Sequence, residues 1–210
     1  RQKLAQANLL SATLDAFDQV DILVNACRQV LPSDPLNPDD DGVETLWQQN
    51  VLTALRMSQL VARRMIRQAE DDGDGDGPAG TIVNLSSIAA RRTHPDLLAY
   101  SIASAALDQM TRSLAVALAP QRIRVNAVAF GPIRTRLTEG SAKGDSTIKV
   151  EDKEIKVGVN PDLLSQMERM IPLGRVGTPQ EAAGAVYLFC SPESNFISGQ
   201  HIICGGGFVI

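Results

Sequence analysis

Apolar residues recur at helical spacing in several stretches of the chain, a pattern typical of helices with one buried face. Leu4, Leu9, Leu10, Leu14 and Phe17 predict an amphipathic helix at the start of the chain. Four further helices are predicted at 44–68, 98–119, 163–170 and 179–190. The helix at 44–68 is predicted to be long.

Short apolar runs lie between these helices, and each has the length of a buried strand. The predicted strands are 20–25, 81–85, 123–128 and 201–204. Strands that alternate with helices form βαβ units, in which the strands run parallel. The pattern therefore predicts an α/β fold with a parallel sheet. The length of 210 residues fits a single domain spanning 1–210.

Two polar segments interrupt this alternation. Asp and Gly alternate through 70–80, which predicts a solvated acidic loop. That loop has no glutamate at the spacing of a calcium-binding loop. The segment 143–160 is charged and has no clear periodicity, so it is predicted to be a loop.

Charge and cysteine usage exclude several classes of function. A net charge of −4 and a pI near 5.2 argue against nucleic acid as a partner. No apolar run is long enough to span a bilayer, and the first residues show no secretory signal, so no membrane partner is expected. The two histidines and three cysteines (His94, His201, Cys27, Cys190 and Cys204) are widely spaced, so no metal site is expected. Reduced thiols favour a cytoplasmic location.

Several motifs occur in a characteristic order and spacing. They are Asp21-Ile22-Leu23-Val24-Asn25-Ala26-Cys27, then Ile82 to Ser87, Tyr100 thirteen residues later, Arg124 to Thr135, Gly174 to Glu181, and Ile197 to Gln200 with Gly205-Gly206. Together they resemble the short-chain dehydrogenase/reductase family, in particular its 3-oxoacyl-ACP-reductase-like members. The resemblance covers nearly the whole chain.

The resemblance implies a Rossmann-like, doubly wound parallel sheet. The chain would correspond to the C-terminal two-thirds of the family fold, and the N-terminal βαβ unit with its glycine-rich, pyrophosphate-binding turn would be absent. Without that unit, the strand near Ile22 would expose an edge. Either the natural protein contains the missing segment, or the chain is a degenerate relative.

The resemblance also implies an activity and a set of site residues. The family catalyses NAD- or NADP-dependent interconversion of hydroxyl and carbonyl groups on small molecules. Matching positions make Ser87, Tyr100 and Asn50 candidate catalytic residues. The candidate cofactor-binding residues are Asn25, Ala26, Gly131, Ile133 and Thr135. Substrate choice would depend on the segment 138–161.

One departure puts catalysis in doubt. The family places a lysine four residues after the tyrosine, where its charge favours the phenolate, but here the position is Ser104. Another cation could take this role, and Arg28, Arg91 and Arg92 are the candidates because each follows a predicted strand end. Exposed surface arginines are the alternative interpretation. Arg28 also replaces a family glycine and would crowd the space where the adenine ribose lies.

Two hypotheses therefore remain. The chain is an NAD(P)-dependent oxidoreductase, or it is a non-catalytic scaffold or interaction subunit that keeps the fold. Ser87, Tyr100 and Asn50 favour the first hypothesis, whereas Ser104 and Arg28 favour the second. In either case the family pairs its long helices across a two-fold axis, so a homodimer or homotetramer is expected.

Overall fold

A computed structural model describes residues 2–37, 40–71, 73, 77–135, 147–150, 153–156 and 168–208. Its helices are α1 (Gln2–Phe17), α2 (Asp40–Trp47), α3 (Thr53–Asp71), α4 (Leu98–Leu118) and α5 (Pro179–Cys190). Its strands are β1 (Ile22–Asn25), β2 (Gly80–Ser87), β3 (Ile123–Phe130), β4 (Thr147–Val150), β5 (Lys153–Lys156) and β6 (His201–Cys204).

Four strands form one parallel sheet in the order β1-β2-β3-β6. In the register, Asn84 of β2 lies opposite Asn25 of β1 and Ala127 of β3. All four strands therefore end at the same edge of the sheet. This arrangement confirms the predicted α/β fold.

Alternating side chains of the central strands bury two different layers of helices. Ile82 and Val125 pack with α3 and α4 in one apolar cluster. Val83 and Val128 pack on the opposite face, against Phe189 of α5. Because both faces of β2 and β3 are covered, nearly all of their residues are buried, rather than every second one.

Strand β1 differs from the central strands because it pairs with β2 alone among the described residues. Ile22 and Val24 are 46% and 38% exposed. The prediction that this run is a buried strand is therefore wrong for one of its faces. The expected exposed edge near Ile22 is confirmed.

The predicted long helix at 44–68 is confirmed, but it is not α-helical over its whole length. A π-helical segment, Gln48–Leu52, separates α2 from α3. Asn50 lies inside this segment, and its amide binds the main chain of Gln29 instead of facing water. A π-helical turn contains one more residue than an α-helical turn. The extra residue changes the direction of the side chains, so one of them can leave the regular helical face.

The segment predicted as a loop at 143–160 contains the antiparallel pair β4 and β5, so that prediction is wrong for these eight residues. The predicted helix at 163–170 lies outside the described residues except for its last three positions. The helices predicted at the chain start, at 98–119 and at 179–190 are confirmed. Within the described ranges, no helix combines the length and the apolar character needed to cross a bilayer.

Helix α5 begins with a strong start signal. Thr178 accepts a hydrogen bond from the Glu181 main chain, and the Glu181 carboxylate accepts one from the Thr178 main chain. This reciprocal pair satisfies donors that the first helical turn leaves open. Pro179 occupies the first helical turn, where its missing N–H costs nothing.

Candidate active site

A cavity of about 730 Å³ opens at the carboxyl ends of the strands. Ala26 follows β1 at its wall, Ser87 ends β2, and Gly131 follows β3. Tyr100, in the first turn of α4, completes this set. In open α/β sheets this edge is where ligands bind, because the loops that follow the strands converge there.

Ser87 and Tyr100 are brought to the same cavity, and each is 8% exposed. The Ser87 hydroxyl also accepts a hydrogen bond of 3.1 Å from the main chain of Ala89, so it caps the short 3₁₀ turn at Ile88–Ala90. Capping uses one lone pair of the hydroxyl oxygen and leaves its proton available to a ligand.

Asn50 does not line this cavity. It is 1% exposed; its Oδ1 accepts from the Gln29 N–H at 2.8 Å, and its Nδ2 donates to the Gln29 carbonyl at 2.7 Å. Both main-chain hydrogen-bonding groups of Gln29 are thereby satisfied by one side chain. Asn50 therefore holds the segment directly after Arg28 in place.

Arg28 is the candidate cation that reaches Tyr100. Its guanidinium carbon lies 5.1 Å from the centre of the Tyr100 ring, and its Nη2 donates to the Ser104 hydroxyl at 2.7 Å. Its Nη1 donates to the Leu85 carbonyl at 2.6 Å. The side chain is half-buried against these groups. Arg28 is therefore not a freely exposed surface arginine.

The other two candidate cations are exposed. Arg92 lies over the Phe208 ring, with 4.6 Å from the guanidinium carbon to the ring centre, and it contacts the sulfur of Met170. Arg91 does not line the cavity.

Ser104 occupies the position one helical turn after Tyr100 and is fully buried. Its hydroxyl donates to the Tyr100 carbonyl at 2.8 Å and accepts from Arg28. Ser104 does not itself line the cavity. Its small side chain instead leaves the space that the guanidinium fills.

The predicted cofactor-binding residues divide into two groups. Ala26, Gly131, Ile133 and Thr135 line the cavity. Asn25 does not line it, because its Nδ2 donates to Ser58 at 3.0 Å and to Asn84 at 2.8 Å. These contacts tie β1 to α3 and β2, so the side chain of Asn25 has a structural role here.

The glycine at position 131 is required by a close backbone approach. A Cβ atom at this position would lie 2.9 Å from the Cα of Gly205, closer than such atoms pack. The loops after β3 and β6 can therefore meet, and they carry Ile133 and Phe208 to the cavity.

Sequence reasoning missed part of the cavity wall. The additional apolar lining residues are Val30, Ile88, Leu97, Phe130, Met170, Val186 and Phe208. They come from loops and helices far apart in the sequence, so no local spacing connects them. The only sequence signal that they share is that each is a large apolar residue.

The sequence and the fold of this chain are similar to those of known proteins. A family model described as Enoyl-(Acyl carrier protein) reductase matches residues 2–209. A solved short-chain type dehydrogenase/reductase from Mycobacterium marinum superimposes with a TM-score of 0.80 at 27% identity, covering 99% of this chain and 72% of that one. The chain belongs to the short-chain dehydrogenase/reductase family.

Curated relatives in this family carry oxidoreductase names. The oxidoreductase YohF of Escherichia coli is 29% identical over 201 residues, covering 96% of this chain and 69% of the relative. The 7alpha-hydroxysteroid dehydrogenase of the same organism is 28% identical over 201 residues, covering 96% and 68%. This short-chain dehydrogenase/reductase is thus an oxidoreductase by family, as the motif order predicted.

Proposed function

We propose that this short-chain dehydrogenase/reductase interconverts a carbonyl and a hydroxyl group on a small molecule with NAD or NADP as cofactor. The observation that carries the proposal is that Ser87 and Tyr100 line one cavity at the carboxyl edge of the sheet. Two hydroxyl groups beside one ligand space are the minimum needed to bind a carbonyl oxygen and to exchange a proton with it.

The residues present fit the nicotinamide half of the cofactor. A cavity of about 730 Å³ has the size of a small-molecule site, and apolar walls from Ile88, Ile133 and Val186 suit a flat ring. Ala26 contributes main-chain atoms to the cavity wall, and Thr135 contributes a hydroxyl group. When bound, the nicotinamide would supply or accept the hydride.

Tyr100 would exchange the proton. In the reducing direction its hydroxyl gives a proton to the substrate oxygen as the carbonyl becomes an alcohol, and in the oxidising direction it takes the proton back. Ser87 would donate a hydrogen bond to the same oxygen and stabilise the negative charge that develops there. Asn50 and Asn25 would act indirectly, by holding Gln29 and Asn84.

The proposal extends to domain organisation, substrate selection, assembly and location. The chain forms one domain over 1–210, and the segment 138–161 selects the substrate. The protein assembles as a homodimer or homotetramer, in keeping with exposed apolar residues on α4 such as Ile102 and Val116, which are 55% and 78% exposed. It is cytoplasmic, in keeping with three free cysteines.

The test is a titration of the full-length protein with NADH and NADPH, followed by fluorescence and by thermal shift. Turnover is then measured on diacetyl and on a 7-oxo steroid, because acetoin dehydrogenases and a 7alpha-hydroxysteroid dehydrogenase are among the relatives. We expect one nucleotide to bind, and we expect Tyr100→Phe to keep that binding while losing at least about 100-fold in turnover.

Failure of both nucleotides to bind would contradict the proposal and favour a non-catalytic scaffold. Equal turnover by the Tyr100→Phe variant would contradict the role of Tyr100. Tyr187→Phe is the matched control, since Tyr187 is 69% exposed on α5 and lies outside the cavity wall.

A further inference from the structure

Two unusual positions of this chain contact each other beside the candidate proton donor. Arg28 follows β1, and Ser104 lies 76 residues later in α4, yet the guanidinium Nη2 and the serine hydroxyl are 2.7 Å apart. The same guanidinium stacks on Tyr100. Taken separately, Arg28 and Ser104 would each weaken an active site, but the structure joins them in one contact.

We propose that Arg28 supplies the positive charge that supports proton transfer by Tyr100, in the space that the small side chain of Ser104 leaves open. The inference rests on the proposed function, because it assigns a positioning residue to the same site. Arg28 acts through Tyr100.

The position of the guanidinium is held by three contacts. It donates to the Leu85 carbonyl at 2.6 Å and to the Ser104 hydroxyl, and its third contact is the Tyr100 ring. Leu85 lies one residue beyond the last β1–β2 pair, which is Asn25 with Asn84. Its carbonyl oxygen can therefore accept a hydrogen bond from Arg28 instead of one from β1. A planar group with donors on two sides is fixed in orientation by such contacts, whereas an ammonium group is not.

The charge of Arg28 is not neutralised within the described part of the chain. No carboxylate in those ranges lies within 4.0 Å of its guanidinium nitrogens. Its hydrogen-bond partners, Leu85 and Ser104, are uncharged. Within those ranges no carboxylate therefore competes with Tyr100, or with an anionic oxygen formed in the cavity, for this positive charge.

A cation on the ring face suits a tyrosine that loses its proton. The negative charge of a phenolate spreads over the aromatic ring, so a guanidinium stacked on the ring attracts the ionised form more strongly than the neutral form. Tyr100 and Arg28 are both partly withdrawn from solvent, which reduces screening of this attraction.

Ser104 has a distinct part in this arrangement. It is fully buried and lies on the same face of α4 as Tyr100, one turn away. A long or charged side chain at this position would occupy the space of the guanidinium. The inference therefore predicts that the fold accommodates a positively charged side chain at position 28 or at position 104, but not at both positions together.

The first experiment reads Tyr100 directly and needs neither cofactor nor substrate. The chain has two tyrosines, so a Tyr187→Phe background leaves Tyr100 as the sole source of tyrosine absorbance. In this background we expect Arg28→Gln to shift the near-ultraviolet absorption band of Tyr100 relative to the parent at neutral pH, because the cation over its ring is removed. Arg28→Lys, which keeps the charge, should stay near the parent. Arg91→Gln is the matched control, since Arg91 is exposed and outside the cavity wall.

The second experiment is a thermal double-mutant cycle. Ser104→Lys alone should lower Tm by at least roughly 5 °C, because two cations would meet in a buried space. Adding Arg28→Ala should recover most of that loss, so the two effects should be strongly non-additive.

Either experiment can overturn the inference. Identical near-ultraviolet spectra of the parent and of Arg28→Gln would show that the guanidinium has no electrostatic effect on Tyr100. Additive Tm changes would show that positions 28 and 104 do not share one space. Both results are independent of nucleotide binding, so they are distinguishable from a failure of the proposed oxidoreductase function.

Discussion

His201 and Asp108 form a buried pair that joins β6 to α4. The Nε2 atom of His201 lies 3.6 Å from the Asp108 carboxylate and 3.1 Å from the Asp108 carbonyl oxygen, and both side chains are less than a tenth exposed. Ser86, at the end of β2, donates to the same carboxylate. The pair therefore ties three elements together beneath the candidate active site.

The pH dependence of stability should reveal His201. Burial lowers the pKa of His201 from its usual 6.5, and the nearby Asp108 charge opposes this only in part. A base whose folded pKa is depressed stabilises the fold above its unfolded pKa, and this stability is lost as pH falls below about 6.5. We expect the free energy of unfolding in urea to drop between about pH 7.5 and about pH 5.5.

The matched comparison for this prediction is His201→Gln, which cannot be protonated. Its free energy of unfolding should change less over the same pH range than that of the parent. An equal change in both proteins would show that other groups cause the drop.

Gly131→Ala should destabilise the protein by about 1–3 kcal/mol, because the new methyl group would meet the main chain of Gly205, which cannot rotate away. It should also reduce nucleotide binding, since the loop after β3 lines the cavity. Denaturant unfolding and fluorescence titration measure the two effects.

Gly184→Ala in α5 is the control for this substitution, since in the described part of the chain no atom outside the neighbouring helix backbone lies within 4 Å of a Cβ at that position. It should stabilise the protein by about 0.5–1 kcal/mol. Equal stabilities of the two alanine variants would contradict the close approach between the loops after β3 and β6.

Asn50→Leu should cost about 1–3 kcal/mol, because it removes both hydrogen-bond partners from the half-buried N–H and carbonyl of Gln29. The segment carrying Arg28 should loosen, so amide hydrogen exchange at Gln29 should speed up. Asn50→Asp retains the acceptor for the Gln29 N–H and should lose less. Unchanged exchange at Gln29 in both variants would argue against the holding role of Asn50.

The start of α5 should be sensitive to acid. Hydrogen bonds from Arg175, then from the main chain and side chain of Thr178, lower the pKa of Glu181 to about 2. A carboxylate with a depressed pKa stabilises the fold above its usual pKa of 4.5, and this contribution disappears as pH falls towards 2. The Tm difference between the parent and Glu181→Gln should therefore be larger at neutral pH than at acid pH. A Tm difference of the same size at neutral and at acid pH would contradict this contribution of Glu181.

Thiol modification should be selective for Cys27. This residue is exposed, whereas burial raises the pKa of Cys190 and of Cys204 and so lowers the fraction of reactive thiolate. One equivalent of a disulfide reagent should label Cys27 first, as peptide mass spectrometry would show. Loss of the fast labelling phase in Cys27→Ala would confirm the site, and its persistence would contradict the exposure order.

Much of the fold follows from local pattern. Apolar runs such as Ile82-Val83 are typical of a covered strand, and the Thr178-to-Glu181 spacing is a helix start signal. The thirteen-residue spacing from Ser87 to Tyr100 likewise predicts that both residues belong to one site. These features depend on neighbours within a few residues or on motif order.

The π-helical segment around Asn50 could not be predicted in this way. The apolar periodicity of 44–68 continues across it, and the partner that Asn50 binds, Gln29, is 21 residues away. Because Asn50 binds a main-chain group that is distant in the sequence, the residues around Asn50 do not show that its side chain leaves the regular helical face. The same reason explains why His201 is isolated in the sequence, although Asp108 lies beside it across 93 residues of chain.

Local pattern in the sequence determined the order of the four sheet strands and of most helices, and the resemblance to the family indicated Ser87 and Tyr100. The sequence indicated Arg28 as one of three possible cations and Ser104 as the replacement of a lysine, and it could not connect the two. Only the tertiary structure decided that Arg28 reaches Tyr100 through the space beside Ser104, because that contact depends on how β1 and α4 pack across the end of β2.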